Sequence, residues 1–490
     1  MPKRPATLTL ALPSRPAGTT ATRWLCASLR SEILEGRLRA GARLPATRDL
    51  ARQYGLSRGT VVSAFEQLAS EGYVAGSVGS GTYVSDVLPD DLLQVTRKAV
   101  AAAPARPAGR RHVSDFARRV TGFPGFTVRP TRAFRTDVPA LDRFPTTLWA
   151  QLASRRMRLA TTDLLGGCGP LGYRPLQDAV ADYLRTSRGV RCNPEQVAIV
   201  SGVQEALDLV ARLFLNPGDR VCLENPGYPG AALVFEGAGA KLVAVSLDDE
   251  GMVVPGARAR DARLAYVTPA HQFPTGTAMS LRRRLKLLEW ARASGALIFE
   301  DDYDSEYRYA GRPMPALQGL DRHGQVLFAG SFSKVLFPSL RLGYLVIPPD
   351  LVDYFAATRS VTSRHAPLLE QAVLCDFIAE GHFGRHVRRM REVYAERLGV
   401  LLETARERLA GLLEISGVEA GLQTAGWLGA GIGGEQAARA AAAREVDVVP
   451  LSRFHRGRPD RDGLQLGFAA VDAQEIRRGV RELAAALEGA

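Results

Sequence analysis

A single lysine, Lys334, lies in a short polar stretch that also contains hydroxyl groups and an arginine. In "GSFSKVLFPSLRLGY" it follows Ser331 and Ser333 and precedes Arg341. A lysine forms a Schiff base with an aldehyde more readily where burial or cationic neighbours lower its pKa. Hydroxyls and a guanidinium are groups that bind a phosphate monoester. The stretch therefore predicts a reactive lysine beside a phosphate site.

Acidic residues crowd the end of a predicted strand, where "ALIF" is followed by "EDDYDSEYRY". Carboxylates in this position could bind a metal, but no histidine is near in sequence. An aspartate is an equally good partner for a protonated heterocyclic nitrogen. We favour the second interpretation and expect no metal site. Combined with the lysine and the phosphate site, it predicts pyridoxal 5'-phosphate as the cofactor.

A second phosphate-binding element is predicted where "VAIV" passes into "SGVQEALDL". The free N–H groups that open a helix after a glycine can bind a phosphate, and here they belong to Val203 and Gln204. Most turns of this kind are only turns, so the motif is weak by itself. The order of "SGVQ", "EDDY" and "SFSK" along the chain makes a single cofactor site the better interpretation.

Beyond residue 126, apolar runs typical of strands alternate with helical segments. This alternation predicts an α/β domain whose mostly parallel sheet is buried on both faces. Ligands of such sheets bind beyond the carboxyl ends of the strands. The motifs described above lie at those ends.

The first hundred residues predict a different fold. Apolar residues recur at helical spacing from Trp24 to Ile33, and Gly36 ends the pattern. Thr47 is predicted to cap a second helix and Ser57 a third. The stretch "YVAGSVGSGTYVS" then predicts a β-hairpin. Three helices followed by a hairpin are the elements of a winged helix-turn-helix, whose third helix can enter the major groove of DNA.

Charge supports a DNA partner for this end of the chain. The net charge is +12, and residues 1–86 carry 11 Lys and Arg against 6 Asp and Glu. At the start of the third helix, side chains reach base edges, whereas those at the start of the second suit phosphates. Glycines let the wing backbone approach the minor groove. The predicted DNA-binding residues are Thr47, Arg48, Ser57, Arg58, Gly59, Thr60, Gly79 and Gly81.

The chain is predicted to have four segments. They are a disordered lead-in at 1–21, the winged helix-turn-helix at 22–86, a semi-extended linker rich in Ala, Pro and Arg at 87–125, and the α/β domain at 126–490.

The five cysteines lack metal-ligand spacing and are expected to be reduced. We find no run long enough to span a membrane and no convincing signal peptide, so we expect a cytoplasmic protein.

The motifs resemble two known families. The stretches "GRLRAGARLPATRDLA", "LSRGTVVSAFEQLASEG" and "GSGTYV" resemble the DNA-binding domain of the GntR regulators, and residues 130–486 resemble the fold-type I aminotransferases. Their fusion resembles the MocR branch of the GntR regulators. The resemblance implies that Lys334 forms the Schiff base, Asp301 pairs with the pyridine nitrogen, Tyr303 bonds the cofactor phenolate and Tyr228 stacks on its ring. It implies phosphate binding by Val203, Gln204, Ser331, Ser333 and Arg341.

Two positions depart from the catalytic pattern. Phe273, in "TPAHQFPTG", stands where the aminotransferases have an asparagine that binds the cofactor, and His271 or Gln272 is expected to compensate. Gln465, in "LQLGFA", stands where the arginine that binds the substrate carboxylate is expected. Arg453 is our substitute for that arginine as the ligand of an effector carboxylate.

We therefore expect a pyridoxal-phosphate-dependent transcription regulator that senses the cofactor itself, or an amino compound such as GABA or taurine, through a Schiff base on Lys334. The alternative is an active aminotransferase that carries a DNA-binding domain. The resemblance also implies a homodimer, which matches two-fold operator DNA, and a bacterial, nucleoid-associated protein. Aminotransferase activity, if any, is expected to be weak.

Overall fold

The computed structural model describes residues 10–77, 81–86, 112–121, 130–309, 314–415, 417–459 and 461–489. The chain divides into two compact units, Met1–Arg111 and His112–Ala490. The division separates the predicted DNA-binding end from the α/β domain. Each unit is described by itself below.

The small unit has three helices and a hairpin, as the sequence predicts. They are α1 (Ala21–Leu34), α2 (Thr47–Tyr54), α3 (Arg58–Ser70), β1 (Val74–Ser77) and β2 (Gly81–Val84). The strands pair antiparallel with Val74 opposite Val84. Apolar residues on one face of each helix form the core, among them Leu25, Leu29, Leu50, Val61 and Leu68.

Residues 10–13 are ordered, which corrects the prediction that residues 1–21 are a disordered lead-in. Leu10 is 5% exposed and belongs to the core of the small unit. Its carbonyl accepts a hydrogen bond from Gln53 Nε2 at 2.5 Å, and Trp24 Nε1 donates to the Pro13 carbonyl at 3.0 Å. The prediction was wrong here because Leu10 contacts partners about 40 residues away, which no local pattern shows.

The large unit contains fourteen helices among its described residues. They are α4 (Asp115–Val120), α5 (Thr146–Arg158), α6 (Thr162–Gly166), α7 (Arg174–Arg188), α8 (Val203–Phe214), α9 (Pro229–Gly237), α10 (Leu281–Ser294), α11 (Leu317–Leu320), α12 (Phe332–Val335), α13 (Val352–Thr362), α14 (Leu368–Ala379), α15 (His382–Arg408), α16 (Gly434–Ala443) and α17 (Ala473–Glu488). Short 3-10 turns occur at Leu141–Arg143, Pro194–Gln196, Ala257–Ala259, Pro338–Leu340, Pro349–Leu351 and Leu451–Phe454.

Its strands form two sheets. The larger sheet contains β3 (Val197–Val200), β4 (Arg220–Asn225), β5 (Lys241–Asp248), β6 (Gly251–Met252), β7 (Ala262–Val267), β8 (Leu297–Asp302), β9 (Val326–Ser331) and β10 (Gly343–Val346). The smaller contains β11 (Leu413–Ile415), β12 (Gln423–Leu428), β13 (Val449–Pro450) and β14 (Gly463–Gly467).

The larger sheet is mostly parallel and confirms the predicted α/β fold. Its strand order is β3-β10-β9-β8-β7-β4-β5-β6, in which only β10 and β6 run antiparallel to their neighbours. Central strands such as β7 and β9 are almost entirely buried, so their sequences are nearly continuous apolar runs. The smaller sheet is antiparallel in the order β11-β12-β14-β13. The acidic motif begins in the last residues of β8, and the lysine follows the neighbouring strand β9.

The predicted linker at 87–125 differs from the structure over part of its length. Residues 112–121 belong to the large unit, and Ser114 caps α4 by accepting from the Ala117 N–H. Arg119 donates two hydrogen bonds to the Gly237 carbonyl at the end of α9. The contact between Arg119 and Gly237 holds α4 against the large unit. The composition of this segment had indicated an extended chain. The remaining linker residues, 87–111 and 122–125, lie outside the described residues.

The five cysteines are all free. In the part of the chain that the structure describes, no helix is both long and apolar enough to cross a bilayer.

Candidate functional site

Lys334 lies in the one-turn helix α12, which directly follows β9. Its neighbours Phe332 and Val335 are 1% exposed and anchor the turn in the core, whereas the Lys334 side chain is 30% exposed. The ε-amino group donates to the Asp137 carboxylate at 2.8 Å and to the Asp137 carbonyl at 3.2 Å. The lysine is therefore held at an accessible point on a rigid support.

The predicted phosphate site is brought together beside this lysine. Gly202, with φ of 126°, ends the turn after β3 and precedes α8. A Cβ atom built on Gly202 would lie 3.4 Å from Arg341 Nη2, so the guanidinium faces the start of the helix. The first N–H groups of an α-helix, here those of Val203 and Gln204, have no partner within the helix. A cation and free N–H groups thus converge on one point.

The two serines flank the same point. Ser331 ends β9 and is paired with Gly343 of β10, and a Cβ atom on Gly343 would lie 3.4 Å from the Gly202 Cα. Ser333 Oγ is 3.4 Å from the carbonyl of Leu342, the residue after Arg341. The structure therefore brings together all five residues predicted to bind phosphate.

Asp301 is a buried carboxylate with one free oxygen. It is 5% exposed, and its Oδ2 accepts a hydrogen bond from Tyr266 at 2.7 Å. Its Oδ1 is buried and has no hydrogen-bond partner among the described residues. Burial raises the pKa of Asp301 to about 7, although the Tyr266 hydrogen bond opposes this shift. A cationic ring nitrogen would satisfy Oδ1 and offset the burial of the charge, so the site fits the pyridinium of pyridoxal phosphate.

Tyr303 and His271 form a hydrogen-bonded group with Asp304. His271 Nδ1 lies 3.0 Å from both oxygens of Asp304 and 3.2 Å from Tyr303 Oη. Burial raises the pKa of Tyr303, so its phenol stays protonated and can donate to an anionic oxygen. His271 Nε2 is buried without a partner in the described part of the chain. Gln272 Nε2 donates to the Pro226 carbonyl at 2.9 Å, so of the two candidates His271 has the free polar atom.

Aromatic rings cover this region. Tyr228 Oη lies 3.3 Å from Gln204 Oε1, which links the ring to the phosphate helix. The ring of Phe273 packs edge-on against Tyr228, at 5.5 Å between centroids, and against Phe454, at 5.1 Å. Phe273 therefore takes part in the apolar wall of the site and offers no polar group to the cofactor.

Arg453 lies in a surface ion pair. Its Nε and Nη2 donate to the two oxygens of Glu435 at 2.6 and 2.7 Å, and its side chain is 55% exposed. These two parallel hydrogen bonds occupy the edge of the guanidinium with which Arg453 would bind the carboxylate of a ligand. The structure thus gives no support to the predicted role of Arg453.

Sequence reasoning missed two residues of the site. Asp137, which contacts Lys334, is 197 positions away in the chain and lies in no motif. Tyr266, which bonds Asp301, did leave a signal, because a tyrosine within a buried strand requires a partner for its hydroxyl.

The predicted recognition helix of the small unit begins as expected. Ser57 Oγ accepts from the Thr60 N–H at 3.1 Å and lies 2.8 Å from Thr60 Oγ1, and Arg58 and Gly59 are exposed at the first turn. The first turn therefore presents an arginine and a small residue to a ligand.

The cap predicted at Thr47 is wrong. The N-cap is Ala46, since Thr47 already lies in α2, and Asp49 provides negative charge in the first turn. Arg48 is exposed and Thr47 half-buried at the start of this helix.

In the wing, Gly81 has φ of 116°, and a Cβ atom there would lie 2.8 Å from Arg43 Nε. The other wing glycine, Gly79, lies outside the described residues.

Both units match known families. The family "Bacterial regulatory proteins, gntR family" matches residues 23–84, and "Aminotransferase class I and II" matches residues 140–483. The chain is 41% identical over 473 residues to the probable rhizopine catabolism regulatory protein MocR of Rhizobium meliloti, covering 96% of this chain and 94% of the relative.

Two further comparisons agree. The pyridoxine biosynthesis transcriptional regulator PdxR of Corynebacterium glutamicum is 29% identical, covering 94% of this chain and 95% of the relative. The crystal structure of LysN, the alpha-aminoadipate aminotransferase of Thermus thermophilus, complexed with N-(5'-phosphopyridoxyl)-L-leucine, has a TM-score of 0.66 and 30% identity. It covers 73% of this chain and 92% of that one.

The similarities to the two regulators extend over both units. The chain belongs to the MocR-type GntR transcription regulators, in which a GntR helix-turn-helix domain is joined to a fold-type I aminotransferase-like domain whose cofactor is pyridoxal phosphate.

Proposed function

We propose that this regulator senses pyridoxal phosphate, or an amino compound that reacts with it, at Lys334 and transmits the result to its DNA-binding unit. The observation that carries the proposal is the convergence of three features in one chain with a helix-turn-helix. They are the accessible Lys334 amine, the free oxygen of buried Asp301, and the cation and helix start at Arg341 and Gly202.

Each residue of the site has a separate task. Arg341, Ser331, Ser333 and the first turn of α8 bind the phosphate, and Asp301 holds a proton on the ring nitrogen. Tyr303 donates to the phenolate oxygen, and Tyr228 covers the ring. When bound, pyridoxal phosphate supplies an aldehyde carbon that primary amines attack. Lys334 provides the protein's own amine, which Asp137 orients in the absence of ligand.

An effector changes DNA affinity only if it binds one arrangement of the protein more tightly than another. No turnover is needed for that effect. The name of one relative refers to pyridoxine biosynthesis, which supports the cofactor itself as a candidate signal. We further propose that the chain acts in the cytoplasm, at the nucleoid, as a homodimer on two-fold operator DNA.

In the small unit, the proposed contacts follow from position. Arg58, Gly59 and Thr60 read base edges at the start of α3, and Ser57 fixes that turn. Thr47 and Arg48 bind phosphates at the start of α2, and Gly79 and Gly81 let the wing approach the minor groove.

The test is fluorescence anisotropy of the full chain on DNA from upstream of its own gene, at fixed salt. The protein is titrated with pyridoxal phosphate and then with candidate amines. A shift with pyridoxal phosphate alone indicates a vitamer sensor, and a shift that also needs the amine indicates an amine sensor. Lys334→Ala is expected to lose both the response and the visible absorption band of the bound cofactor. DNA binding that ignores every ligand contradicts the proposal.

The alternative, an active aminotransferase tethered to DNA, is less well supported. Phe273 contributes a ring where the enzymes are expected to have an asparagine, and Arg453 is paired with Glu435. Production of keto acid at about 1 per second or faster would favour the enzyme.

A further inference from the structure

Two buried glutamines on the smaller sheet have side-chain amide atoms without hydrogen-bond partners among the described residues. Gln423 is 2% exposed and Gln465 is 1% exposed. Both polar atoms of the Gln423 amide and the Nε2 of Gln465 have no partner among the described residues. Buried amides are normally hydrogen-bonded, because their desolvation is otherwise uncompensated. A ligand that supplies the missing partners would explain why these residues are polar.

The two side chains point to the same face of the sheet. Gln465 of β14 is paired with Ala425 of β12, and Gln423 is paired with Gly467. Residues paired across strands share a face, as do residues two apart along one strand. Gln423 and Gln465 are therefore diagonal neighbours that can bind one ligand together.

That face is directed at the cofactor site. A Cβ atom on Gly467, which marks the direction of the face, would lie 2.0 Å from the Arg135 carbonyl oxygen and 2.9 Å from the Thr136 Cα. The next residue is Asp137, whose carboxylate contacts Lys334 Nζ at 2.8 Å. Two residues before β12, a Cβ atom on Gly421 would lie 2.1 Å from His271 Cε1. The glutamines thus lie next to the segment that reaches the reactive lysine.

The charge of this region is unsuited to a ligand carboxylate. Asp137 brings a negative charge to Lys334, from a backbone with φ of 67° that few non-glycine residues adopt. The guanidinium of Arg453 is bound to Glu435. A carboxylate near Asp137 would meet a like charge, whereas glutamine amides both donate to and accept from hydroxyl groups.

We propose that the effector is a primary amine that carries hydroxyl groups and no carboxylate, an amino alcohol. Its amine binds beside Lys334, where the Asp137 carboxylate accepts a hydrogen bond from it. Its hydroxyls bind the side-chain amides of Gln423 and Gln465. This inference rests on the proposed function, since it names the ligand class of the same site.

The test compares 2-amino-1,3-propanediol with L-serine, which differ only in a hydroxymethyl group in place of the carboxylate. The full chain loaded with pyridoxal phosphate is titrated with each, and the visible absorption band and DNA anisotropy are recorded. We expect the diol to act at a midpoint at least about 10-fold lower, because sites built for a hydroxyl discriminate strongly against analogues that leave polar groups unpaired. Equal midpoints, a preference for serine, or a response to neither overturns the inference.

Variants separate this inference from the proposed function. Gln465→Arg is expected to reverse the preference by providing a cation for serine, and Asp137→Asn, at a half-exposed position, to improve serine binding several-fold by removing the like charge. Arg453→Ala is the matched control and should not change the preference. If the cofactor band forms but serine is preferred, only this inference fails. If no band forms with pyridoxal phosphate, the proposed function fails with it.

Discussion

The guanidinium of Arg341 packs over the Cα of Gly202, and both residues have backbone conformations in the positive-φ region. Their φ angles are 51° and 126°. A Cβ atom on Gly202 would lie 3.4 Å from Nη2 and 3.6 Å from Nη1 of the arginine. A non-glycine residue with positive φ costs free energy, and such residues cluster at functional sites. The fold therefore maintains an unfavourable backbone conformation at Arg341, and uses the conformational freedom of Gly202, to bring a cation to a helix N-terminus.

Gly202→Ala is expected to weaken binding of pyridoxal phosphate by about 10-fold or more. The new methyl group would crowd the Arg341 guanidinium, and alanine disfavours φ of 126°. Both effects displace the cation from the phosphate site. The dissociation constant is measured by titration of the visible absorption band.

Gly218→Ala is the matched control for backbone strain. Gly218 has φ of 97°, but a Cβ atom there would meet nothing within 4 Å. This variant should lose some thermal stability and bind the cofactor as the wild-type chain does. If Gly202→Ala also binds the cofactor as the wild-type chain does, the contact between Gly202 and Arg341 does not position the cation at the phosphate site.

Asp301→Asn is expected to change the pH dependence of stability in the cofactor-free protein. The pKa of Asp301 is about 7 in the folded state, against about 3.9 for an unfolded aspartate. Its contribution to stability is therefore present below about pH 4 and is lost as the pH rises to about 7. The asparagine variant has no such loss. The unfolding free energy of the variant minus that of wild type should therefore rise by roughly 2–3 kcal/mol from pH 5 to pH 8.

Melting temperatures at the two pH values check this expectation. Pyridoxal phosphate provides the control, because a pyridinium beside Asp301 stabilises the ionised carboxylate. Saturation with the cofactor should reduce the pH dependence of wild type. If the melting temperatures of variant and wild type differ equally at both pH values, Asp301 ionises in the folded state as it does in the unfolded chain.

The parts of the fold with strong local signals were predicted from the sequence. The Ser57 cap, the hairpin and the alternation of strands and helices are all found in the structure. The errors at Leu10 and at residues 115–120 have a common cause. Both segments are ordered by contacts with residues far along the chain, Gln53 and Gly237 respectively. Local composition contains no information about such contacts.

The cofactor site was predicted to a similar extent. Lys334, Asp301 and Arg341 are in motifs whose chemistry is specific. Asp301 and Lys334 come together at the ends of the neighbouring parallel strands β8 and β9, and Arg341 precedes the antiparallel strand β10 beside β9. Asp137 was not predicted, because its role depends on a positive-φ backbone 197 residues before the lysine. Arg453 was chosen for its charge alone, and the sequence did not show that Glu435 lies within hydrogen-bond distance.

Arg453→Ala is expected to leave the ligand response of DNA binding unchanged. The arginine forms an exposed ion pair, and exposed pairs contribute about 0–1 kcal/mol. The midpoint of the amine titration should stay within about two-fold of wild type, which corresponds to roughly 0.4 kcal/mol. Loss of the response to amino acids alone would restore Arg453 as the carboxylate ligand and count against an amino-alcohol effector.

Arg58→Gln and Arg48→Gln are expected to affect DNA binding in different ways. Arg58 begins α3 next to the Ser57 cap and is exposed, so a guanine contact is expected there. Its replacement should cost about 1–3 kcal/mol on the operator and much less on unrelated DNA. Arg48, exposed in the first turn of α2, is expected to contact a phosphate. Its replacement should weaken both DNAs equally and reduce the salt slope by about 1.

Anisotropy on operator and unrelated DNA at several salt concentrations distinguishes the two roles. The comparison is informative because both substitutions remove one positive charge, so only the difference in contacts separates them. If Arg58→Gln weakens both DNAs equally, then α3 contacts the backbone and the bases are read elsewhere in the small unit. In that case Gly81 and Arg43, which pack together in the wing, are the next residues to substitute.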